Sequence, residues 1–362
     1  MRSARANAGP SATSPNPDLE LLLGRFARAS VVVVGDLVAD EYVVGETDRI
    51  SREAPVLIVH YERSELKAGC AGNAVTNLCA LGAQVRPVGL VGDDRVGEGL
   101  RALLAGAGAD VSGVLVAEGR PTATKMRILA GGKNTRRQQI VRLDRDGPGV
   151  PTGALKKRLL GALRAAAQGA DAVLVSDYGL GLLEALRPAV LGLGRALPLC
   201  VDARYDLRAY SGAALVKPNE VELEAATGRR IGDSAEALET AGRALLKSLR
   251  VGAVLVTRGR HGMALLRPGA PTAHLPAHGE REAVDVTGAG DTVIAATALG
   301  LACGANSLLA ARLANVAGGL AVQKPGTATV SAAELRDELR ASRVASAVAP
   351  LAARTVPARI RP

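Results

Sequence analysis

Asp285-Val286-Thr287-Gly288-Ala289-Gly290-Asp291-Thr292 runs without a break into the apolar stretch Val293-Ile294-Ala295-Ala296, which continues to Leu301. The pattern reads as the start of a buried helix, Gly288-Leu301. The two glycines flanking Ala289 let the backbone approach a ligand with no Cβ in the way. At a helix start the first N–H groups have no intrahelical partner, and the helix dipole favours negative charge there. A phosphoryl group in transfer fits such a place. Asp291, in the same turn, can take the proton of an attacking hydroxyl, the base role in phosphoryl transfer. A plainer reading is a glycine-rich helix start whose acidic residue contributes stability alone. The pattern is not the Walker phosphate loop, because no Lys-Ser/Thr follows the glycines, nor is it G-x-G-x-x-G after a strand.

Upstream of this turn, strands and helices alternate. Val31-Val34 is a β-branched run that ends at Gly35-Asp36, and Gly69-Cys70-Ala71-Gly72-Asn73 opens a helix to about Leu81. Helices over 153–167, 182–195, near 219–226 and over 233–249 interleave with strands over 172–175, 197–201, 214–217 and 253–257. Such alternation predicts an α/β three-layer sandwich with a mostly parallel central sheet. Two further sets of extended segments, near 41–62 and 113–143, are expected to pair as a small β lid over the active face. The helical series closes with 307–322 and 332–341. One domain over 18–343 is expected, between a disordered leader (1–17) and a flexible basic tail (344–362).

The 362 residues are 48% hydrophobic with no Trp, one Phe and five Tyr, so the core must be built from small aliphatic side chains. That composition lacks the aromatic platforms of a single-stranded nucleic-acid binder. The formal charge of +10 is spread along the chain with no long basic helix, so no nucleic-acid partner is expected. Cys70, Cys79, Cys200 and Cys303 show no metal-site spacing and read as buried hydrophobes in a reducing compartment. The first residues lack the apolar core of a signal peptide, and no apolar run approaches the roughly 20 residues of a membrane span. A cytoplasmic protein with no membrane partner is expected.

Asp-x-Thr-Gly-Ala-Gly-Asp at 285–291 resembles the C-terminal signature of the PfkB, or ribokinase-like, carbohydrate kinases. Gly35-Asp36 and Gly69-x-Ala71-x-Asn73 resemble that family's N-terminal sugar-binding signature, and the likeness extends over about 30–340. Within the family, Gly35-Asp36-Leu37-Val38-Ala39-Asp40, Arg49-Ile50-Ser51-Arg52-Glu53-Ala54-Pro55-Val56, Thr124-Lys125-Met126-Arg127 and Ser176-Asp177-Tyr178 are most similar to D-glycero-β-D-manno-heptose 7-phosphate kinases. The cytidylyltransferase half fused to some relatives is not expected, since no H-x-G-H motif occurs.

The resemblance implies a ribokinase-like fold and an ATP-dependent sugar kinase with Asp291 as base and the amides of Gly288, Ala289 and Gly290 as anion hole. It implies that Asp36, Gly69 and Asn73 bind sugar hydroxyls. Asn219-Glu220-Val221-Glu222 resembles the family's N-x-x-E element, in which Asn219 and Glu222 hold Mg2+ through water beside the ATP phosphates. The same spacing is that of a capping box, and both readings can hold together. Thr257-Arg258-Gly259 resembles the nucleotide-binding turn, Asn315 lies where the adenine pocket is expected, and Asp285 and Thr287 with the Gly326-Thr327 region resemble a site for a monovalent cation such as K+. A homodimer through the lid strands is also implied. Lys125, Arg127 and Arg142 are candidate partners for a substrate phosphate; the plainer reading is solvated lid charges, with Arg142 paired to Asp144. Two positions depart from the heptose kinases, which carry lysine where this chain has Leu180 and Arg204. These put the acceptor and the rate in question, and leave open another sugar or nucleoside as acceptor, or a non-catalytic sugar- or nucleotide-binding protein.

Overall fold

The computed structural model describes residues 17–348 apart from 134, 136, 280 and 281. Its strands are Ser30–Gly35 (β1), Leu37–Ile50 (β2), Leu57–Cys70 (β3), Gln84–Gly92 (β4), Val114–Ala117 (β5), Thr124–Gly131 (β6), Gln138–Arg145 (β7), Ala172–Asp177 (β8), Leu199–Ala203 (β9), Leu215–Val216 (β10), Val254–Thr257 (β11), Met263–Leu266 (β12) and Ala273–Leu275 (β13). Its α-helices are Pro17–Leu23 (α1), Ala71–Ala80 (α2), Arg95–Gly106 (α3), Gly153–Ala167 (α4), Leu182–Leu193 (α5), Glu220–Thr227 (α6), Ala235–Leu249 (α7), Ala289–Ala302 (α8), Ser307–Ala321 (α9) and Ala332–Val348 (α10).

The valines of β1 show how the layers form. Side chains alternate across a strand, so Val31 and Val33 enter one apolar cluster with residues of α2, α8 and α9. Val32 and Val34 enter a second cluster with residues of α4, α5 and α7. Both faces of the sheet are therefore covered, and β1 is buried at every residue. The central sheet has nine strands in the order β13-β12-β11-β10-β9-β8-β1-β4-β5. From β11 to β5 all pairings are parallel, while β12 and β13 add an antiparallel edge. This is the expected α/β sandwich. Helix α8 is buried on all sides from Asp291 to Gly300, as a helix apolar around its whole circumference must be.

A separate four-stranded sheet has the order β3-β2-β6-β7, with β2 and β6 parallel and the outer pairs antiparallel. One strand expected near it lies elsewhere. Val114–Ala117 pairs in parallel with β4 at the edge of the main sheet, because α3 makes β4-α3-β5 a crossover unit. The sequence reading also gave no strands at 263–266 or 273–275, which are too short for their alternation to register. It gave no helix at 17–23, where Leu19, Leu22 and Leu23 pack into the core. Of the expected leader and tail, 1–16 and 349–362 lie outside the described residues, while 344–348 continue α10. Among the described residues no helix is long and apolar enough to cross a membrane.

Candidate active site

The parallel strands deliver ionisable residues to one edge, the C-terminal one, where open α/β sheets bind ligands. Asp36 follows β1, Asp177 ends β8, Asp202 lies near the end of β9 and Lys217 follows β10. The start of α8 faces this edge. Gly288 caps the helix at φ 78°, a left-handed conformation that favours glycine. A Cβ there would lie 2.5 Å from Asn73 Nδ2, so the position requires glycine for space as well.

Asp291, one turn into the site, is 6% exposed. Asn73 Nδ2 donates to its Oδ2 at 2.8 Å, and the Tyr178 hydroxyl donates to its Oδ1 at 3.1 Å. Asn73 is itself held by Asn77, which also accepts from Thr292, so a buried polar chain ties α2 to α8. Burial pushes the Asp291 carboxyl up to about 7, helped by Asp202, while Asn73, Lys217 and Tyr178 hold it down. A carboxylate poised near neutrality suits a general base.

The residues expected to bind the sugar lie between β1 and the four-stranded sheet. Asp36 Oδ2 accepts from the amides of Tyr178 at 2.8 Å and Leu180 at 3.1 Å. Burial raises its carboxyl to about 6, with Asp177 adding to the effect. Gly69 lies so close to Asp40 that a Cβ would meet its Oδ2 at 2.5 Å. The candidate phosphate cations differ sharply. Arg127 is paired with Asp40 at 2.5 Å, and Arg142 with Asp144 at 2.8 Å on the open surface. Lys125 reaches Cys70 Sγ at 3.5 Å and lies 5.3 Å from the Tyr178 ring, with no carboxylate at ion-pair distance among the described residues. Burial keeps the Cys70 thiol protonated despite that lysine.

On the other flank, Asn219 and Glu222 form a complete capping box at α6, with both reciprocal bonds at 2.8 Å. Thr257 donates its amide to Pro218 and bridges to Asn219, which sets the two expected nucleotide elements side by side. Glu220 pairs with Arg258 at 2.7 Å, Val221 is exposed, and Gly259 begins a 3-10 turn. Asn315, on α9, donates to the Pro276 carbonyl at 2.7 Å. The Asp285 carboxylate accepts from the amides of Thr287 and Gly326 at 2.9 and 2.8 Å, which joins the two loops expected to hold a monovalent cation. Among the described residues no group of three His, Cys, Asp or Glu could hold a metal. Tyr178, Asp202 and Lys217 were not singled out for the site from sequence. The available signal was an ionisable residue closing a buried strand, as Lys217 closes 214–217.

The model of the pfkB family carbohydrate kinases matches residues 28–141 and 197–334. Bifunctional protein HldE of Pseudomonas fluorescens (strain SBW25) is 42% identical over 326 residues, covering 90% of this chain and 66% of its own length. Its namesake in Geotalea uraniireducens (strain Rf4) is 41% identical over 326 residues, covering 89% and 65%. The chain thus spans just under two thirds of the length of these curated relatives. Arabidopsis thaliana ribokinase complexed with ribose and ATP superimposes with a TM-score of 0.69 at 22% identity, covering 86% of this chain and 99% of that one. Escherichia coli phosphofructokinase-2 in complex with potassium gives 0.71 at 18% identity, covering 87% and 99%. The fold is ribokinase-like.

Proposed function

Because the chain belongs to the pfkB family of carbohydrate kinases, we propose that it transfers the γ-phosphoryl group of ATP to O1 of D-glycero-β-D-manno-heptose 7-phosphate, giving the 1,7-bisphosphate. One observation carries the reading: a buried carboxylate, Asp291, lies in the first turn of α8, oriented by Asn73 and Tyr178 and raised to about 7. The acceptor hydroxyl gives its proton to Asp291 as its oxygen forms a bond to the γ-phosphorus. The bond from that phosphorus to the bridging oxygen breaks, and ADP leaves with the electron pair. The amides of Gly288 and Gly290 at the start of α8 suit the migrating group, while that of Ala289 donates to the Val286 carbonyl at 3.3 Å and must leave it to join them. Asp36, Gly69 and Asn73 line the sugar. Lys125, which has no carboxylate partner among the described residues, suits the substrate phosphate, while Arg127 orients Asp40.

ATP is assigned to the flank of Asn219, Thr257, Gly259 and Asn315. Mg2+ fits there only through water: one Glu222 oxygen is committed to the Asn219 amide and the other accepts no hydrogen bond among the described residues. When bound, the ion offsets phosphate charge. Asp285 and Thr287, joined to the Gly326 loop, would hold K+.

A coupled ADP-release assay across heptose 7-phosphate, ribose, fructose and fructose 6-phosphate tests the reading. Turnover is expected to be highest with heptose 7-phosphate, and Asp291→Ala to lower it by about 10³-fold or more. Equal use of ribose or fructose ends the heptose assignment, and an active Asp291→Ala ends the base assignment. Another sugar or nucleoside as acceptor is favoured by one feature, the apolar wall that Leu180 makes with Val38, Cys70 and Ala123.

A further inference from the structure

Asp177 closes β8, and its two carboxylate oxygens have different partners. Oδ1 accepts the Gly179 amide at 3.0 Å, and Oδ2 accepts the Tyr210 hydroxyl at 2.5 Å. Tyr210 is fully buried and follows the 3-10 turn Leu207–Ala209, between β9 and β10. Arg187 of α5 lies 5.2 Å from its ring and 3.6 Å from Asp177 Oδ2, and pairs with Asp206 at 2.9 Å. Burial raises the Tyr210 hydroxyl well above its ordinary value; Asp177 adds to this and Arg187 partly opposes it, so the group stays a donor. The Gly179 amide sits between those of Tyr178 and Leu180, both of which donate to Asp36 Oδ2. Three successive N–H groups are thus held by two carboxylates, around a Gly179 at φ 74° that favours glycine. The same turn carries Tyr178, whose hydroxyl donates to Asp291. A buried tyrosine hydroxyl needs only some acceptor. For stability alone a buried carboxylate is a poor choice of one. Here its second oxygen fixes a turn of the site.

We propose that Tyr210 is a positioning residue: through Asp177 it holds the 178–180 turn, so that Tyr178 meets Asp291 while two amides of the turn meet Asp36. The inference rests on the phosphoryl-transfer reading above, in which Asp291 is the base and Asp36 binds the sugar. Without the Tyr210 hydroxyl, Asp177 Oδ2 keeps only the arginine at 3.6 Å, beyond hydrogen-bond length. The turn loosens, Tyr178 donates less well to Asp291, and the ionised base loses stabilisation.

Tyr210→Phe keeps the ring and its packing, and tests the role. Asp291 is faced by Asp202, Asn73, Lys217 and Tyr178, of which only Tyr178 belongs to the turn. Its ionisation is read without turnover by carboxyl-carbon NMR of aspartate-labelled protein, with the resonance assigned from Asp291→Asn. Tyr210→Phe is expected to move that titration up by about half a pH unit, a threefold change in the ionisation constant. In a Tyr178→Phe background it should move it no further, since both act through one hydroxyl. Asp177→Asn, whose amide nitrogen cannot accept from Tyr210, is expected to give a shift of the same sign. In the ADP-release assay the alkaline-rising limb of kcat moves with the NMR titration. An unmoved titration in both Tyr210→Phe and Asp177→Asn overturns the role, whatever happens to the melting temperature. So does an equal shift with and without the Tyr178 hydroxyl. A native protein that turns over no acceptor overturns the phosphoryl-transfer reading, an outcome distinct from an unmoved titration.

Discussion

In the proposed base role, Asp291 sets the pH at which the site works. Its carboxyl is raised to about 7, so kcat/KM is expected to climb with pH along a limb centred near that value, measured in the ADP-release assay. The Tyr178 hydroxyl stabilises the ionised form by donating to Oδ1. Tyr178→Phe should therefore move the limb to higher pH, by about one unit. Stability follows the same titration. The group's folded value lies above its ordinary 3.8, so its contribution to stability is full below about pH 4 and is lost as pH rises through about 7. Thermal unfolding of Asp291→Asn should lose that part of the slope. Asp291 was legible from sequence because the glycines and the carboxylate share one helical turn. Tyr178 was not, because it acts on a residue 113 positions away.

At the scale of elements, the start of α8 is a constrained turn, and two glycines in different helices separate constraint from propensity. Gly288→Ala should lose about 1–2 kcal/mol from its left-handed backbone alone, and more because its Cβ displaces Asn73 from Asp291. Turnover should fall with it. Gly161, inside α4, has open space at its Cβ and an ordinary helical backbone; Gly161→Ala should raise stability by about 0.5–1 kcal/mol with no effect on activity, read by denaturant unfolding. The amphipathic helices and the valine-rich strands were readable from their periods. The β12–β13 edge was not, since strands of four and three residues carry too few alternations to stand out. Nor was the placement of β5, where an extended segment has the same local pattern in either sheet.

For the whole molecule, β7 is the most exposed edge of the smaller sheet. All eight of its residues are exposed, it stands at one edge of the smaller sheet, and Ile140, Val141 and Leu143 on it are exposed apolar side chains. An edge strand with unpaired backbone groups and exposed apolar side chains invites a partner. A second copy of this chain is the proposed occupant. Sedimentation at micromolar concentration is expected to show a dimer, and Leu143→Glu to shift it towards monomer without loss of secondary structure.

The sequence by itself determined the longer strands and helices and where a helix begins on a glycine-rich turn that ends in a carboxylate, because those properties depend on neighbours within a few positions. Tertiary structure alone decided that Asn73 and Tyr178 grip Asp291, that Arg127 pairs with Asp40 while Lys125 meets no carboxylate at ion-pair distance among the described residues, and that Lys217 pairs with Asp202. These contacts join residues at the ends of different strands and helices. Their spacing is set by sheet order and register, which no local pattern encodes.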